Sequence, residues 1–186
     1  MGGAHDHQNA GGSGGVVTLA LNAAAALGVS LRSMTEEDLP FAADLYASTR
    51  AEEVAQTGWP PAQQHAFLMQ QHEAQHHHYR SHYDGAEWMI VERDGERIGR
   101  LYLVEWPKEL RVIDIALTAE ARGAGIGGAI LADVMARATA AGKPVSAHVE
   151  RNNPALRLYA RLGFTLAEDK GVYWLLEWRP DAGLQT

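Results

Sequence analysis

The chain predicts an α/β protein of the mixed kind, a mostly antiparallel central sheet with helices on both faces. Two observations carry this expectation. Short runs with period-2 alternation flank longer stretches with a helical stripe. Three of the strand-like runs, near the middle of the chain, follow one another through tight turn signals and form an antiparallel run.

Taken in order, VSLRS from Val29 alternates and reads as a strand. Thr35 precedes Glu36, Glu37 and Asp38, a helix start with acids in its first turn. Leu39, Ala42, Ala43, Leu45 and Tyr46 then form the apolar stripe of a first helix. Gly58-Trp59-Pro60-Pro61 is a loop, with Pro61 placed to open a second helix running to about Tyr83. Strands follow at Trp88–Glu92, Arg97–Glu105 and Leu110–Leu117, the first two joined by Asp94-Gly95. A Gly-rich turn leads to a helix at Ile126–Ala141, closed by Gly142 and Pro144. Pro144–Val149 is a strand, Pro154–Leu162 a short helix, and Phe164–Ala167 and Val172–Trp178 are closing strands.

Composition sets the organisation and excludes several classes. With 186 residues, the expected division is a Gly-rich disordered tail over 1–15, an apolar extension over 16–28, one domain over 29–180 and a short tail over 181–186. The apolar run Val16–Leu27 is too short to span a bilayer and lacks a basic segment before it. It is expected to pack on the domain or on a second subunit, which leaves a homodimer open. A net charge of −7 argues against a general nucleic-acid binder. The absence of Cys excludes disulfides, thiolate-bound metals and a thiol nucleophile. A cytoplasmic protein with no membrane partner is the expectation.

The informative segment is Ile113–Gly128, IDIALTAEARGAGIGG. Glycines at 123, 125, 127 and 128 let backbone N–H groups converge, and the helix that starts there adds partial positive charge. Ala124 and Ile126 lie between them, and Arg122 can add a charge-assisted contact. This is a pyrophosphate cradle. Gly123-x-Gly125-x-x-Gly128 also matches a dinucleotide fingerprint, with Glu150 some twenty residues on. An NAD(P)-linked oxidoreductase is therefore the first alternative. Against it, the glycines come late in the chain, after an antiparallel run, with too little chain behind them for a second half.

Arg122–Gly127 resembles the R/Q-x-x-G-x-G/A motif of the GNAT superfamily of N-acetyltransferases. Asn153-Pro154-Ala155-Leu156-Arg157-Leu158-Tyr159-Ala160-Arg161-Leu162-Gly163-Phe164 resembles that family's second signature, and V-x-L-R-x-x-T-x-x-D-L its opening strand and helix. The resemblance covers about Val29–Trp178. It implies the GNAT acyl-CoA N-acyltransferase fold, acetyl-CoA as co-substrate, and direct acetyl transfer to an amine in a ternary complex. The acceptor, a small-molecule amine or a peptide, is left open. The segment between Val149 and Tyr159 is one residue short of the family pattern, so Asn152 and Asn153 compete for the cofactor. Asn153 is preferred as the cap of the following helix.

The resemblance further implies a cofactor-binding strand with Ile115, Leu117 and Thr118, the backbone N–H of Leu117 facing the thioester carbonyl. It gives Tyr159 the part of general acid toward the departing thiolate. Three residues compete for the base: Asp114, His148 and Glu150. His148 shares a strand face with Ser146 and Glu150, while Asp114 is expected to point away from both Ile113 and Ile115.

One further feature is the segment QQHEAQHHHYRSHY, Gln70–Tyr83. His65, His72, His76 and Tyr83 fall on one helical stripe. His72 and His76, four apart, could begin a metal site, but Glu73 lies on another face and no third ligand is fixed, so no metal is expected. The helix reads either as a wall of the acceptor groove or as a solvated face. A non-catalytic acyl-CoA-binding or metal-sensing module on the same fold is the second alternative.

Overall fold

A computed structural model describes residues 19–181. The expected tail at 1–15, all but Asp181 of the tail expected at 181–186, and Val16–Thr18 lie outside the described residues. The elements are β1 Val29–Ser33, α1 Leu39–Ala55, α2 Pro61–His82, β2 Glu87–Arg93, β3 Glu96–Glu105, β4 Leu110–Leu117, α3 Ile126–Ala141, β5 Val145–Glu150, α4 Leu156–Arg161, β6 Thr165–Asp169 and β7 Tyr173–Trp178. They build one seven-stranded sheet in the order β1-β2-β3-β4-β5-β7-β6. All neighbours are antiparallel except β4 and β5. A single parallel pair in an antiparallel sheet is incompatible with the doubly wound dinucleotide fold, so the Gly123-x-Gly125-x-x-Gly128 oxidoreductase reading falls.

The local chemistry follows the sequence with one instructive difference. Asp94 and Gly95 turn the β2–β3 hairpin with φ of 53° and 77°, the left-handed pair that a two-residue turn needs. The helix expected from Thr35 is split: Glu36–Asp38 form a 3-10 turn and α1 begins at Leu39. Pro40 has no N–H to offer the Glu36 carbonyl, so an α-helix cannot run through it from the cap. Asp38 instead accepts the Thr35 amide and a forked pair of bonds from Arg32, at 2.7 and 2.8 Å, which ties β1 to the start of α1.

The two faces of the sheet are covered differently. On one, α3 and α4 pack Ile126, Ile130, Leu131, Val134 and Tyr159 over Leu101, Leu103, Val112, Ala147 and Val149. The apolar extension joins this face, with Leu19 and Ala24 buried. Its backbone is anchored by the buried Asp133 of α3, which accepts the amides of Asn22, Ala23 and Ala24 at 2.9–3.1 Å. On the other face α1 and α2 pack over Tyr102, Val104 and Ile113, with Tyr79, Tyr83, Trp88 and Trp106 around them. Among the described residues, no helix is long and apolar enough to cross a membrane.

Two irregularities shape the centre. β4 and β5 pair only through Leu110–Val112 and Val145–Ala147, and beyond that the strands diverge. The β3–β4 register also slips, Tyr102 facing Asp114 and Leu103 facing Val112, so Ile113 is the extra residue of a bulge.

Candidate active site

The divergence of β4 and β5 opens a wedge in the sheet. Its β4 wall is an unpaired strand edge. Thr118 donates its amide to Ile98 of β3 at 2.8 Å, so by strand alternation the amides of Leu117 and Ile115 point into the wedge. This is the orientation expected of Leu117. The Thr118 amide is committed to the sheet, so a cofactor contact from Thr118 would come from its side chain. Arg122 donates from Nε to the Leu117 carbonyl at 3.1 Å, across the mouth of the wedge, while its side chain stays exposed.

At that mouth the Gly-rich turn hands over to α3. Gly123 and Gly125 have φ of 78° and 80°, which side-chain-bearing residues rarely adopt. The first carbonyl taken up at the α3 start is that of Gly125, by Ala129 at 3.0 Å, so the amides of Ile126, Gly127 and Gly128 have no partner in the helix. The turn is exposed from Arg122 to Gly125. A Cβ on Gly128 would sit 3.4 Å from Leu158, so the glycine brings α3 close to α4. Free amides, an open approach and a helix N-terminus suit a diphosphate, and the β4 edge suits an extended arm.

Tyr159 lies on α4 behind the wedge, 4 % exposed, with its ring edge-on to Phe164 at 5.1 Å. Burial, and then the Asp114 carboxylate, push its phenol well above the usual tyrosine range, so it keeps its proton. Asn153 closes the turn before α4, where its Oδ1 accepts the Ala155 amide at 2.9 Å; this is an Asx turn and not the helix cap expected of Asn-Pro, because α4 starts only at Leu156, with Ala155 at its N-cap position.

The three candidate bases separate. Asp114 does not point away from Ile113 as alternation alone implies. The bulge turns both toward α2, while Ile115 faces α3 and α4. There Asp114 Oδ2 accepts Arg100 at 2.8 Å and the Tyr79 hydroxyl at 3.2 Å. Arg100 is 3 % exposed, so this is an interior ion pair. His148 Nδ1 lies 3.3 Å from Arg111 Nη1. A guanidinium only donates, so Nδ1 accepts and the proton sits on the buried Nε2, which has no partner. Burial and then Arg111 lower the pKa of His148, and its remaining lone pair is occupied, which removes it as the base. Glu150 is the third. Its carboxylate is held by Arg50 of α1 through two bonds, at 2.6 and 3.1 Å, yet faces open space.

That space is a cleft of about 410 Å³ between α1, α2 and the ends of β5 and β7. Glu150, Arg50 and Gln71 supply polar groups, and Tyr46, Trp59, Phe67 and Tyr173 supply rings. Sequence reasoning passed over Arg50, and gave Trp59 only a place in the loop before α2. Arg50 lies 100 residues from its partner, and no local pattern joins them. The His-rich α2 divides by its faces. Leu68, His72, His76, Tyr79 and Tyr83 face inward, whereas His65, placed on the same stripe, is exposed. His72 is 6 % exposed, and burial first, then Arg100, lowers its pKa to about 4. Among the described residues, no group of three metal-ligating side chains comes together.

This arrangement is that of an acyl-CoA transferase, and comparison with known proteins agrees. Residues 50–164 match the model of the acetyltransferase (GNAT) family, more than half of the chain. The chain belongs to the GNAT family and is an acetyltransferase. Among solved structures it is similar to the PaiA N-acetyltransferase of Thermoplasma acidophilum in complex with coenzyme A (15 % identity, TM-score 0.61, covering 82 % of this chain and 99 % of that one). It is also similar to a GNAT acetyltransferase of Elizabethkingia anophelis with acetyl-CoA bound (17 %, TM-score 0.53, covering 82 % and 99 %). A third is the histone acetyltransferase HPA2 and related acetyltransferase of Corynebacterium glutamicum (22 %, TM-score 0.57, covering 86 % and 99 %). Among curated proteins no sequence matches this one.

Proposed function

We propose that the protein moves the acetyl group of acetyl-CoA directly to a primary amine held in the α1–α2 cleft, both substrates being bound together. The observation that carries this reading is that Glu150 belongs to both halves. It sits on β5, which walls the wedge, and its carboxylate lines the cleft.

Acetyl-CoA supplies an activated acyl thioester. The amides of Ile126, Gly127 and Gly128 would hold its diphosphate, with Gly123, Ala124 and Gly125 shaping the approach. The free edge of β4 at Ile115 and Leu117 would align its arm. The Leu117 amide donates to the carbonyl oxygen as negative charge develops there. Glu150 accepts the proton of the incoming amine, whose nitrogen bonds to the acetyl carbon as the carbon–sulfur bond breaks. Tyr159 returns a proton to sulfur. Its buried phenol is a weak acid, but a thiolate leaving into the same buried wedge is also poorly solvated and a correspondingly stronger base. Asn153 positions α4 and through it Tyr159.

An acidic chain suits a small acceptor rather than nucleic acid, and the cytoplasm is the compartment we propose. The catalytic unit we infer is 29–180. The test combines calorimetric titration with acetyl-CoA and NADH and an assay of CoA release on Tyr159→Phe. Binding of acetyl-CoA alone and a fall in kcat of about 10²- to 10³-fold are expected. Undiminished turnover by the variant removes Tyr159 from the proton path, and a preference for NADH refutes the reading as a whole.

A further inference from the structure

The cleft also says what kind of amine it takes. We infer that the acceptor is a free α-amino acid with a large apolar or aromatic side chain; this rests on the transferase reading above. The cleft has two unlike ends. At one, Trp59 stands edge-on to Phe67 at 5.4 Å, beside Val54 and Leu68. Phe67 and Tyr173, both lining it, are among the few exposed large hydrophobic residues of the described chain, 37 % and 45 % exposed. Apolar surface left open in a concave site is a place for an apolar group.

At the other end are one cation and one anion, Arg50 and Glu150, paired with each other; Arg50 also reaches the exposed Glu53 at 3.5 Å and lies over the Tyr46 ring at 5.5 Å, and the neutral Tyr173 hydroxyl bonds Glu150. Both are about three-quarters buried, with side-chain exposures of 27 % and 22 %. A ligand that separates them must replace what each loses. A simple amine satisfies Glu150 and leaves the Arg50 fork without a matching carboxylate. A peptide N-terminus brings no α-carboxylate. An α-amino acid brings both charges on adjacent groups, so one ion pair becomes two and neither ion is stranded. Its carboxylate lies on Arg50, its ammonium on Glu150 and its side chain among the rings. The ammonium gives one proton to Glu150, which passes it to solvent; nitrogen then bonds to the acetyl carbon as the carbon–sulfur bond breaks. Sulfur leaves as the thiol with the proton of Tyr159, and the second nitrogen proton returns through solvent to the tyrosinate. The products are an N-acetyl amino acid and CoA.

The experiment measures kcat/KM for L-phenylalanine, phenethylamine and ethanolamine, with 3-phenylpropionate as inhibitor. Phenylalanine should exceed phenethylamine by about tenfold or more, and 3-phenylpropionate should compete with it. In Arg50→Gln that ratio should collapse toward one, and Arg50→Lys should restore part of it. Thermal melts of both variants establish that they fold. If phenethylamine or ethanolamine is acetylated as well as phenylalanine, or the ratio is unmoved in Arg50→Gln, the amino-acid inference is overturned while the transferase reading stands. If none of the three is acetylated and a broad amine panel also gives no CoA release, both fall.

Discussion

The two faces of this sheet are built on different principles. The face under α3 and α4 is mostly aliphatic, with Tyr159 and Phe164 at one side, and its buried acid, Asp133, is satisfied by three backbone amides. The face under α1 and α2 is aromatic and charged. It hides Arg100 against Asp114, sets Tyr79 and Trp88 edge-on to Tyr102, and leaves nitrogens of His72, Arg100 and His148 without partners. On the transferase reading proposed above, the first face offers a helix N-terminus to the donor. The second holds charge in a poorly solvating interior, which is how a fold tunes side chains for chemistry and selection. That reading makes the donor side of backbone and the acceptor side of side chains.

The largest way to break that comparison is to strand a charge. Asp114→Ala leaves Arg100 with neutral partners, Gln75 at 3.0 Å and the Tyr102 ring at 5.1 Å, and should destabilise the protein by about 3–5 kcal/mol. Replacing both partners, Arg100→Met with Asp114→Leu, should recover most of that loss, because the damage lies in the unpaired ion. Ile130→Ala on the opposite face should cost about 2–5 kcal/mol through its cavity, with no partner whose removal restores it. Denaturant unfolding of the three variants beside the parent decides this. A single Asp114→Ala that costs under about 1 kcal/mol would mean the pair contributes nothing special.

That charged interior is also where sequence reasoning stopped short. The backbone-built parts were open to it. α3 runs from Ile126 to Ala141 as the spacing indicates, because Gly125 and Gly142 take left-handed conformations at its ends. The strands and hairpins likewise follow from period and turn chemistry, which are local. Asp114 was misdirected because the bulge at Ile113 comes from the pairing of β4 with β3, and no single strand shows its own register. A signal did exist for Arg100: the inner of the two Arg in RIGRLYLVE and the Asp inside IDIAL are opposite charges in neighbouring apolar strands. For Arg50 and Glu150 there was none, since only the tertiary fold brings α1 to the end of β5.

A smaller difference between the faces lies in their response to acid. His72 has a pKa of about 4 in the folded chain, against 6.5 when free. Between those values the unfolded chain binds the proton and the folded one does not, so stability rises with pH across this window and is lost as pH falls from about 6.5 toward 4. The loss should reach about 2–3 kcal/mol. The groups facing His72 are Arg100 and Asp114 from the sheet, His76 from its own helix and Tyr46 from α1. His72→Leu should flatten this part of the stability–pH curve, measured by thermal melts at closely spaced pH. A slope equal to that of the parent would place the acid sensitivity elsewhere.

The smallest expected effect separates two glycines of the same turn. At Gly125 space is open, with nothing within 4 Å of a would-be Cβ, but φ is 80°. At Gly127 the backbone is ordinary helix, and a Cβ would touch Leu158 and Leu117 at 3.6 and 3.8 Å, normal contact distances. Gly125→Ala should therefore destabilise by about 1–2 kcal/mol through strain. Gly127→Ala should stabilise by about 0.5–1 kcal/mol, since it removes freedom from the unfolded chain and adds a good helix former. Opposite signs in paired unfolding curves would show that the backbone needs one glycine and not the other. The reason for the second would then lie outside stability, in room for a ligand arm between α3 and Leu117. Destabilisation by both would instead assign the whole Gly-rich turn to the fold and weaken its reading as a cradle.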